Sequence, residues 1–418
     1  MNRRDFIKNI TLASLAAAAS PLLGDLFIPF AEAVDIPKFS FAHITDLHLD
    51  VKGMSTWQHR EKSVPLFIDT LRQLGRLHKL SFIIFGGDQV HAGPRDRDSL
   101  YVFQEWTKHL DMPYYILLGN SEVSPVPGAS KLSRPEYLFA WRGCGLAPGR
   151  SSWSFEPAKG VRMIGFDVTV DGNPYGEASP ASLAWLKDEL EASAKARLVI
   201  VATHQLLLPT TPRDTTPEWS LWMVKNHFVV RELLEQFPNV RMVISGHHHA
   251  SRVETVNNIT YVADPAVVTY PCAFRLFSVD PEGINLKNIG LDEKNIIARA
   301  RELLVSDPYA HLYDPAKPES VLAYSLGLTE QDRETTIPPI EVIATSVVPP
   351  PISMIIVPLT SARGKPAPKL AATGSSIKYT SRAPAAMVAS NTARFSTSVA
   401  PVGIPTTTRG RGIGTMDC

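Results

Sequence analysis

The chain is poor in cysteine and almost without net charge. Cys144, Cys272 and Cys418 are the 3 cysteines in 418 residues, and none forms a C-x-x-C pair. That spacing implies neither a disulfide framework nor a thiolate zinc site. A Cys144–Cys272 bridge remains conceivable in an oxidising compartment. Lys and Arg number 42 against 41 Asp and Glu, a formal net charge of +1. No nucleic-acid surface or acidic partner is advertised by that balance. An uninterrupted membrane span is also lacking near the amino terminus, where Pro21, Gly24, Asp25 and Pro29 break the apolar stretch. Acidic residues are missing altogether between Glu341 and Asp417. What remains is ordinary for a globular protein, with 44% hydrophobic and 20% charged residues. The 12 histidines are the informative part, because several cluster with Asp and Asn.

Residues 1–33 read as an address and not as part of the fold. Arg3-Arg4-Asp5-Phe6-Ile7-Lys8 precedes a mildly apolar Ala- and Leu-rich stretch that ends in Ala31-Glu32-Ala33. Basic region, apolar region and small-residue cleavage site follow in the order of an export signal, with cleavage expected after Ala33. The arginine pair with Phe6 and Lys8 resembles the twin-arginine motif, so the twin-arginine machinery is an expected partner and the expected location is periplasmic or otherwise exported. No stable transmembrane span is expected once the signal is removed.

From Asp35 onward strand-like and helix-like runs alternate. Phe39–Ile44, Ser81–Phe85, Tyr114–Leu118, Leu198–Ala202 and Val240–Ile244 are short runs of β-branched and aromatic residues. Val64, Phe67, Ile68, Leu71 and Leu74 recur at helical spacing, Ser99–Leu110 is a second helical run, and Ser179-Pro180 caps a third. The alternation predicts βαβ units. After His249 the pattern changes to a hairpin, with Val253–Val256 and Thr260–Ala263 flanking Asn257-Asn258, then a strand over Ala273–Val279. A helix over Lys294–Leu304 closes a domain expected to span 35–305. A linker with a short helical stretch is expected over 306–335. Residues 336–418, rich in Pro, Ser, Thr and Ala, predict a disordered basic tail.

Polar residues follow each predicted strand. Asp46-Leu47-His48 comes after the first, Gly86-Gly87-Asp88 after the second and Gly119-Asn120 after the third. Thr203-His204 follows the fourth and Gly246-His247-His248-His249 the fifth. In an open α/β sheet the carboxyl ends of strands line one edge, where ligands bind. If these segments stay extended, Asp46 and His48 point the same way, as do His247 and His249, with His248 turned to the rim. His43 shares a face with Phe39 and Phe41 and reads as a core histidine. Arg95 and Arg97 read as a solvated loop. Tyr270 either walls a pocket or fills the core.

The ordered series D-L-H, G-G-D, G-N, T-H and G-H-H-H resembles the signature of the calcineurin-like metallophosphoesterases over roughly residues 39–285. The resemblance implies a four-layer α/β/β/α sandwich that hydrolyses small phosphorylated substrates, monoesters or diesters. It implies two divalent metal ions, with Asp46, His48, Asp88 and His249 around the first and Asp88, Asn120, His204 and His247 around the second. Two cations ~3.5–4 Å apart neutralise a phosphate and stabilise its in-line transition state. Mixed N/O ligation suits Mn, Fe, Zn or Co without choosing among them. Gln205 stands where the family commonly has another histidine.

A larger departure is Ser121. The family normally carries there the histidine that protonates the leaving oxygen, and a serine hydroxyl is a poor proton donor at neutral pH. Asp88, Asn120, Ser121 and Glu122 are the candidate catalytic residues, with Glu122 a substitute acid if burial raises its pKa. The rival reading is a metal- or phosphate-binding protein without turnover. On the export expectation, replacing Arg3-Arg4 by two lysines should strand the protein in the cytoplasm, because the receptor reads the guanidinium pair. Cell fractionation checks this, and normal periplasmic yield of the lysine variant would rule the route out.

Overall fold

The computed structural model describes residues 36–338, apart from 78, 94, 124–131, 218–221, 309–312, 315–316 and 318–319. The expected signal over 1–33 and nearly all of the expected tail lie outside the described residues. Among the described residues no helix is long and apolar enough to cross a membrane.

In chain order the strands are β1 (Phe39–Ile44), β2 (Phe82–Phe85), β3 (Tyr114–Ile116), β4 (Trp153–Ala158), β5 (Val161–Gly165) and β6 (Leu198–Ala202). They continue as β7 (Val240–Ser245), β8 (Arg252–Val256), β9 (Ile259–Ala263), β10 (Ala273–Asp280), β11 (Gly283–Gly290) and β12 (Glu334–Ile337). Two six-stranded mixed sheets result, ordered β12-β11-β10-β1-β2-β3 and β4-β5-β6-β7-β9-β8. β1, β2 and β3 pair in parallel, as do β5, β6, β7 and β9. Asn257 and Asn258 turn the β8–β9 hairpin with φ of 49° and 65°, the left-handed pair that a tight two-residue turn requires.

Strand periodicity shows how the layers stack. On β6, Leu198, Ile200 and Ala202 join the core shared with β1 and β2, whereas Val199 and Val201 join a second core. Leu186 and Leu190 of the helix Pro180–Ala192, and Val230 and Leu234 of the helix His227–Glu235, cover that second core. On the far side Leu66, Phe67 and Leu74 of the helix Ser63–Arg76 and Phe103 of the helix Asp96–Thr107 cover the first sheet. The order is therefore helix, sheet, sheet, helix, as expected. β6 is buried at every residue, which is why its sequence is a continuous apolar run. Ser179 Oγ accepts from Ser182 N at 3.1 Å, the cap read from the sequence. Cys272 is a buried free thiol, so the Cys144–Cys272 bridge does not form.

Two expectations about the carboxyl-terminal boundary need correction. The segment read as a linker over 306–335 is packed into the domain. Tyr313 and Val321 are buried with Ala250 and Leu304, and Asp332 accepts from Val253 N at 2.8 Å while its carbonyl accepts from Arg275 at 3.0 Å. The tail boundary at 336 falls inside β12, which pairs with β11 from Lys287↔Glu334 to Ile284↔Ile337. Thr335, Thr336 and Ile337 are β-branched, but a four-residue run at a sheet edge is too short to stand out in the side-chain pattern. A chain ending at Arg333 should lose about 1–2 kcal/mol relative to one ending at Pro338. Thermal unfolding should register that as a drop of roughly 2–8 °C, and equal midpoints would mean that the edge strand contributes nothing.

Candidate metal centre

The two sheets deliver their carboxyl ends to one place. Asp46, Asp88 and Asn120 leave β1, β2 and β3, while His204 leaves β6, and His247 and His249 leave β7. The local backbone is not extended there. Asp46, His48, Asp88, His247 and His249 have φ of 56°, 39°, 53°, 69° and 53°. They make up 5 of the 9 non-glycine residues with positive φ among the described residues. Left-handed backbone costs an ordinary residue about 1–2 kcal/mol, and such strain gathers where function fixes a side chain. The expectation of extended Asp-x-His and His-x-His segments is thus corrected, because each of these residues turns the chain instead of continuing the strand.

Main-chain bonds hold the turns. His48 N donates to Asp88 O at 2.8 Å and Asp46 N to Gly87 O at 3.1 Å. His247 N donates to Asp46 Oδ2 at 2.8 Å. The close approach needs glycine at two points. A Cβ on Gly87 would lie 2.2 Å from His204 Nδ1, and one on Gly119 would lie 2.2 Å from Asp88 N.

Six of the seven expected ligands fall into two buried groups, Asp46/His48/His249 and Asp88/His204/His247. In each, one ligand atom per residue lies within 4.8 Å of the others. Asp88 faces both, with Oδ2 3.3 Å from His48 Nε2 and Oδ1 3.4 Å from His204 Nε2. The seventh, Asn120, joins the second group, its Oδ1 3.2 Å from His204 Nε2. The rings are oriented from behind, His204 Nδ1 by Gly86 O at 2.8 Å and His249 Nδ1 by Thr269 Oγ1 at 2.6 Å. Inside the pocket Asp46 Oδ1 and His247 Nε2 are buried without a hydrogen bond, a cost of about 1–3 kcal/mol each that a bound cation would remove. Oxygen and imidazole donors in two adjoining groups fit two divalent cations.

The buried carboxylates and imidazoles shift one another's titration. Burial alone would raise the carboxyls of Asp46 and Asp88, but neighbouring imidazoles outweigh it and hold both well below the usual carboxylate range. For Asp46 these are His249, His204 and His48, and for Asp88 they are His204 and His48. Burial would lower His204, yet Asp88 and Asp46 push it up to about 9. Burial drives His48 down to about 4 and lowers His247 well below the usual histidine value.

Ser121 and Glu122 sit side by side on the short helix Asn120–Val123 but do different things. Ser121 N donates to Asp88 Oδ1 at 2.7 Å, and its hydroxyl borders the cleft 3.5 Å from His48 Nδ1. Glu122 is 1% exposed. Its Oε2 accepts from Asp88 N at 3.0 Å and Gly119 N at 2.8 Å, and its Oε1 from Val90 N at 3.0 Å. Burial and Asp88 push its carboxyl up to about 8, against three amide bonds that favour the ionised form. Burial raises this carboxyl, the condition on which Glu122 was expected as a substitute acid, but both its oxygens accept from backbone amides and it does not line the cleft. It positions the Asp88 and Asn120 turns against each other.

Above the two groups opens a cleft of about 440 Å³. Trp57 and Trp222 stand on its flanks, their rings 4.7 Å from His249 and 5.9 Å from His247. Arg213, Tyr313, His91 and His248 complete much of the wall. His248 is not an exposed rim residue. It is 3% exposed, with Nδ1 3.0 Å from Asp214 Oδ1. His91 Nδ1 lies 3.3 Å from His48 Nδ1. His43 is a core histidine, as read, with Nδ1 2.6 Å from Asp264 Oδ2. Arg97 pairs with Glu136 away from the cleft. Tyr270 packs partly buried against the core. The tryptophans, Arg213 and Tyr313 were missed, because loop residues brought in from distant segments carry no periodic or motif signal.

The family model described as calcineurin-like phosphoesterase matches residues 39–251. The chain is 24% identical over 234 residues to a probable cyclic nucleotide phosphodiesterase of Xenorhabdus bovienii, covering 54% of this chain and 84% of that protein. It is 24% identical over 258 residues to a 3',5'-cyclic adenosine monophosphate phosphodiesterase of Haemophilus influenzae, covering 60% and 85%. A probable glycerophosphodiester phosphodiesterase of Arcobacter nitrofigilis is 26% identical over 161 residues, covering 38% and 55%. Among solved structures, a dimetal phosphatase from Danio rerio aligns with a TM-score of 0.49 at 20% identity, over 60% of this chain and 96% of that one.

Proposed function

The chain belongs to the calcineurin-like phosphoesterase family, and we propose that it hydrolyses phosphate mono- or diesters outside the cytoplasm with a serine at the position of the usual acid. The observation that carries the reading is the pair of buried ligand groups sharing Asp88 across the ends of two sheets. Relatives named as cyclic nucleotide and glycerophosphodiester phosphodiesterases favour a diester over a monoester. The arginine pair at positions 3 and 4 supports export.

Asp46, His48, Asp88 and His249 are the proposed holders of one cation, and Asp88, Asn120, His204 and His247 of the other. When bound, two such cations neutralise the phosphate and lower the pKa of water. The protein's own part is positional. Glu122 and the glycine turns fix Asp88, and the bonds from Gly86 O and Thr269 Oγ1 fix the imidazoles behind the site. Ser121 supplies no acid, so departure of the leaving group falls on the group's own stability as an anion.

Purified protein should carry close to two equivalents of transition metal and turn over bis(4-nitrophenyl) phosphate with Mn²⁺. Asp88→Asn should remove most of both, since one carboxylate serves both positions. Elemental analysis with only trace metal after metal-replete expression would sink the dinuclear reading, and two bound metals without turnover would favour a binding protein.

Ser121→His should restore a donor beside Asn120. Turnover of alkyl phosphoesters should then rise by about 10²–10⁴-fold, while nitrophenyl esters, whose leaving group needs little protonation, should gain far less. Equal gains on both substrates in steady-state assays would show that the histidine improves folding or metal loading instead.

A further inference from the structure

We propose that His91 binds an oxygen of the substrate phosphate through its Nε2–H, in a tautomer fixed by its contact with His48. The inference rests on the phosphoesterase reading and deepens it by adding a substrate contact to the same site. His91 belongs to neither ligand group, yet it borders the cleft together with His48, Asn120 and Ser121.

Main-chain bonds set its place. Past Asp88 the chain runs alongside the segment that carries His48. His48 N donates to Asp88 O at 2.8 Å, Leu49 N to Gln89 O at 3.0 Å and His91 N to Leu49 O at 2.9 Å. Leu49 and Val90 form a parallel bridge between the two segments. This short ladder puts His91 beside His48 before either side chain is considered. The ring centres stand 5.5 Å apart with the planes tilted by 56°, so the rings do not stack. They meet through their Nδ1 atoms, which are 3.3 Å apart.

Two imidazole nitrogens at that distance need one donor and one acceptor, and the ligand group decides which is which. His48 Nε2 faces Asp88 Oδ2 at 3.3 Å and Asp46 Oδ1 at 3.8 Å, so Nε2 is the atom that offers its lone pair to a cation. The ring proton of His48 then resides on Nδ1. His48 Nδ1–H donates, His91 Nδ1 accepts, and the proton of His91 is left on Nε2. The Ser121 hydroxyl, at 3.5 Å, is the more distant neighbour of the same His48 atom. His204 Nδ1 and His249 Nδ1 are held by oxygens, Gly86 O and Thr269 Oγ1. An imidazole in that supporting position differs from an oxygen because it has a second nitrogen to use. His91 Nε2 has no hydrogen-bond partner among the described residues and is not sealed from solvent. A neutral N–H of fixed tautomer on the cleft wall is organised in advance for an anionic oxygen.

Two variants separate the two nitrogens. The amide of His91→Asn stands where Nδ1 stood and keeps an acceptor for His48, without a donor into the cleft. The longer His91→Gln keeps a donor at the Nε2 position and loses the contact with His48. The test uses the full chain, with Mn²⁺ affinity read by chelator competition and inorganic phosphate binding by calorimetry at saturating Mn²⁺. His91→Asn should weaken phosphate binding about tenfold while holding Mn²⁺ as tightly as the wild type. His91→Gln should weaken Mn²⁺ binding by about 10–100-fold while binding phosphate like the wild type. Unchanged phosphate affinity in His91→Asn, equal loss of it in both variants, or undiminished Mn²⁺ affinity in His91→Gln would overturn the assignment. If the variants do not fold, as judged by their thermal midpoints, nitrogen NMR of the Zn²⁺-loaded wild type decides. The His91 proton should be on Nε2, and a proton on Nδ1 would end the proposal. A wild type that takes up no metal removes the phosphoesterase reading and this inference with it.

Discussion

The carboxylate of Asp88 has to be in two places at once, and much of the local structure answers that demand. One oxygen faces His48 from the first sheet's loops and the other faces His204 from the second sheet. A side chain can do this only if its backbone turns out of β2 immediately, which is why Asp88 takes a left-handed conformation behind Gly87. Ser121 N reaches Oδ1 and Glu122 caps Asp88 N, so the next loop is built around the same residue. Gly119 leaves room for this closeness, since even a methyl group there would meet the Asp88 backbone.

Such a centre concentrates buried polar groups, and the fold supports them with a second network beneath. His43 on β1 bonds Asp264, which pairs with Arg275 on β10, and Arg275 reaches Ser251 Oγ at 2.9 Å and the carbonyl of Asp332. Every charge in that chain is buried. Buried ions are tolerated when each is paired and hydrogen-bonded, and removing one partner strands the other. The network joins both sheets to the segment around Asp332, which explains why the domain runs on past the helix Lys294–Ser306. The site is thus braced from below, where the sheets and this network meet.

The layer above the candidate ligands is built from other segments of the chain. The candidate ligands follow strand ends, whereas Ser121 lies on the short helix Asn120–Val123 and Arg213, Tyr313 and the two tryptophans come from loops and short turns.

The amino-acid sequence by itself determined the alternation of strands and helices, the hairpin at Asn257-Asn258 and the polar residues placed after strands, from which the resemblance to the family singled out seven candidate ligands. Those features rest on short-range rules: apolar period, turn chemistry, and polar residues placed directly after buried strands. His43 was legible as core for the same reason, since it shares a strand face with phenylalanines. The clamp role of Glu122 was not legible, because a carboxylate beside a motif looks the same whether it meets solvent, substrate or three backbone amides. The left-handed turns at Asp46, His48, Asp88, His247 and His249 were not legible either, as Asp and His take that backbone only occasionally and no local spacing marks where. β12 and the packing around Asp332 stayed hidden because edge pairing is made by backbone groups that every residue carries. Only the tertiary structure brought Arg213, Tyr313, Trp57 and Trp222 to one cleft. Long-range proximity arises from how sheets and loops close in space, which no local spacing records.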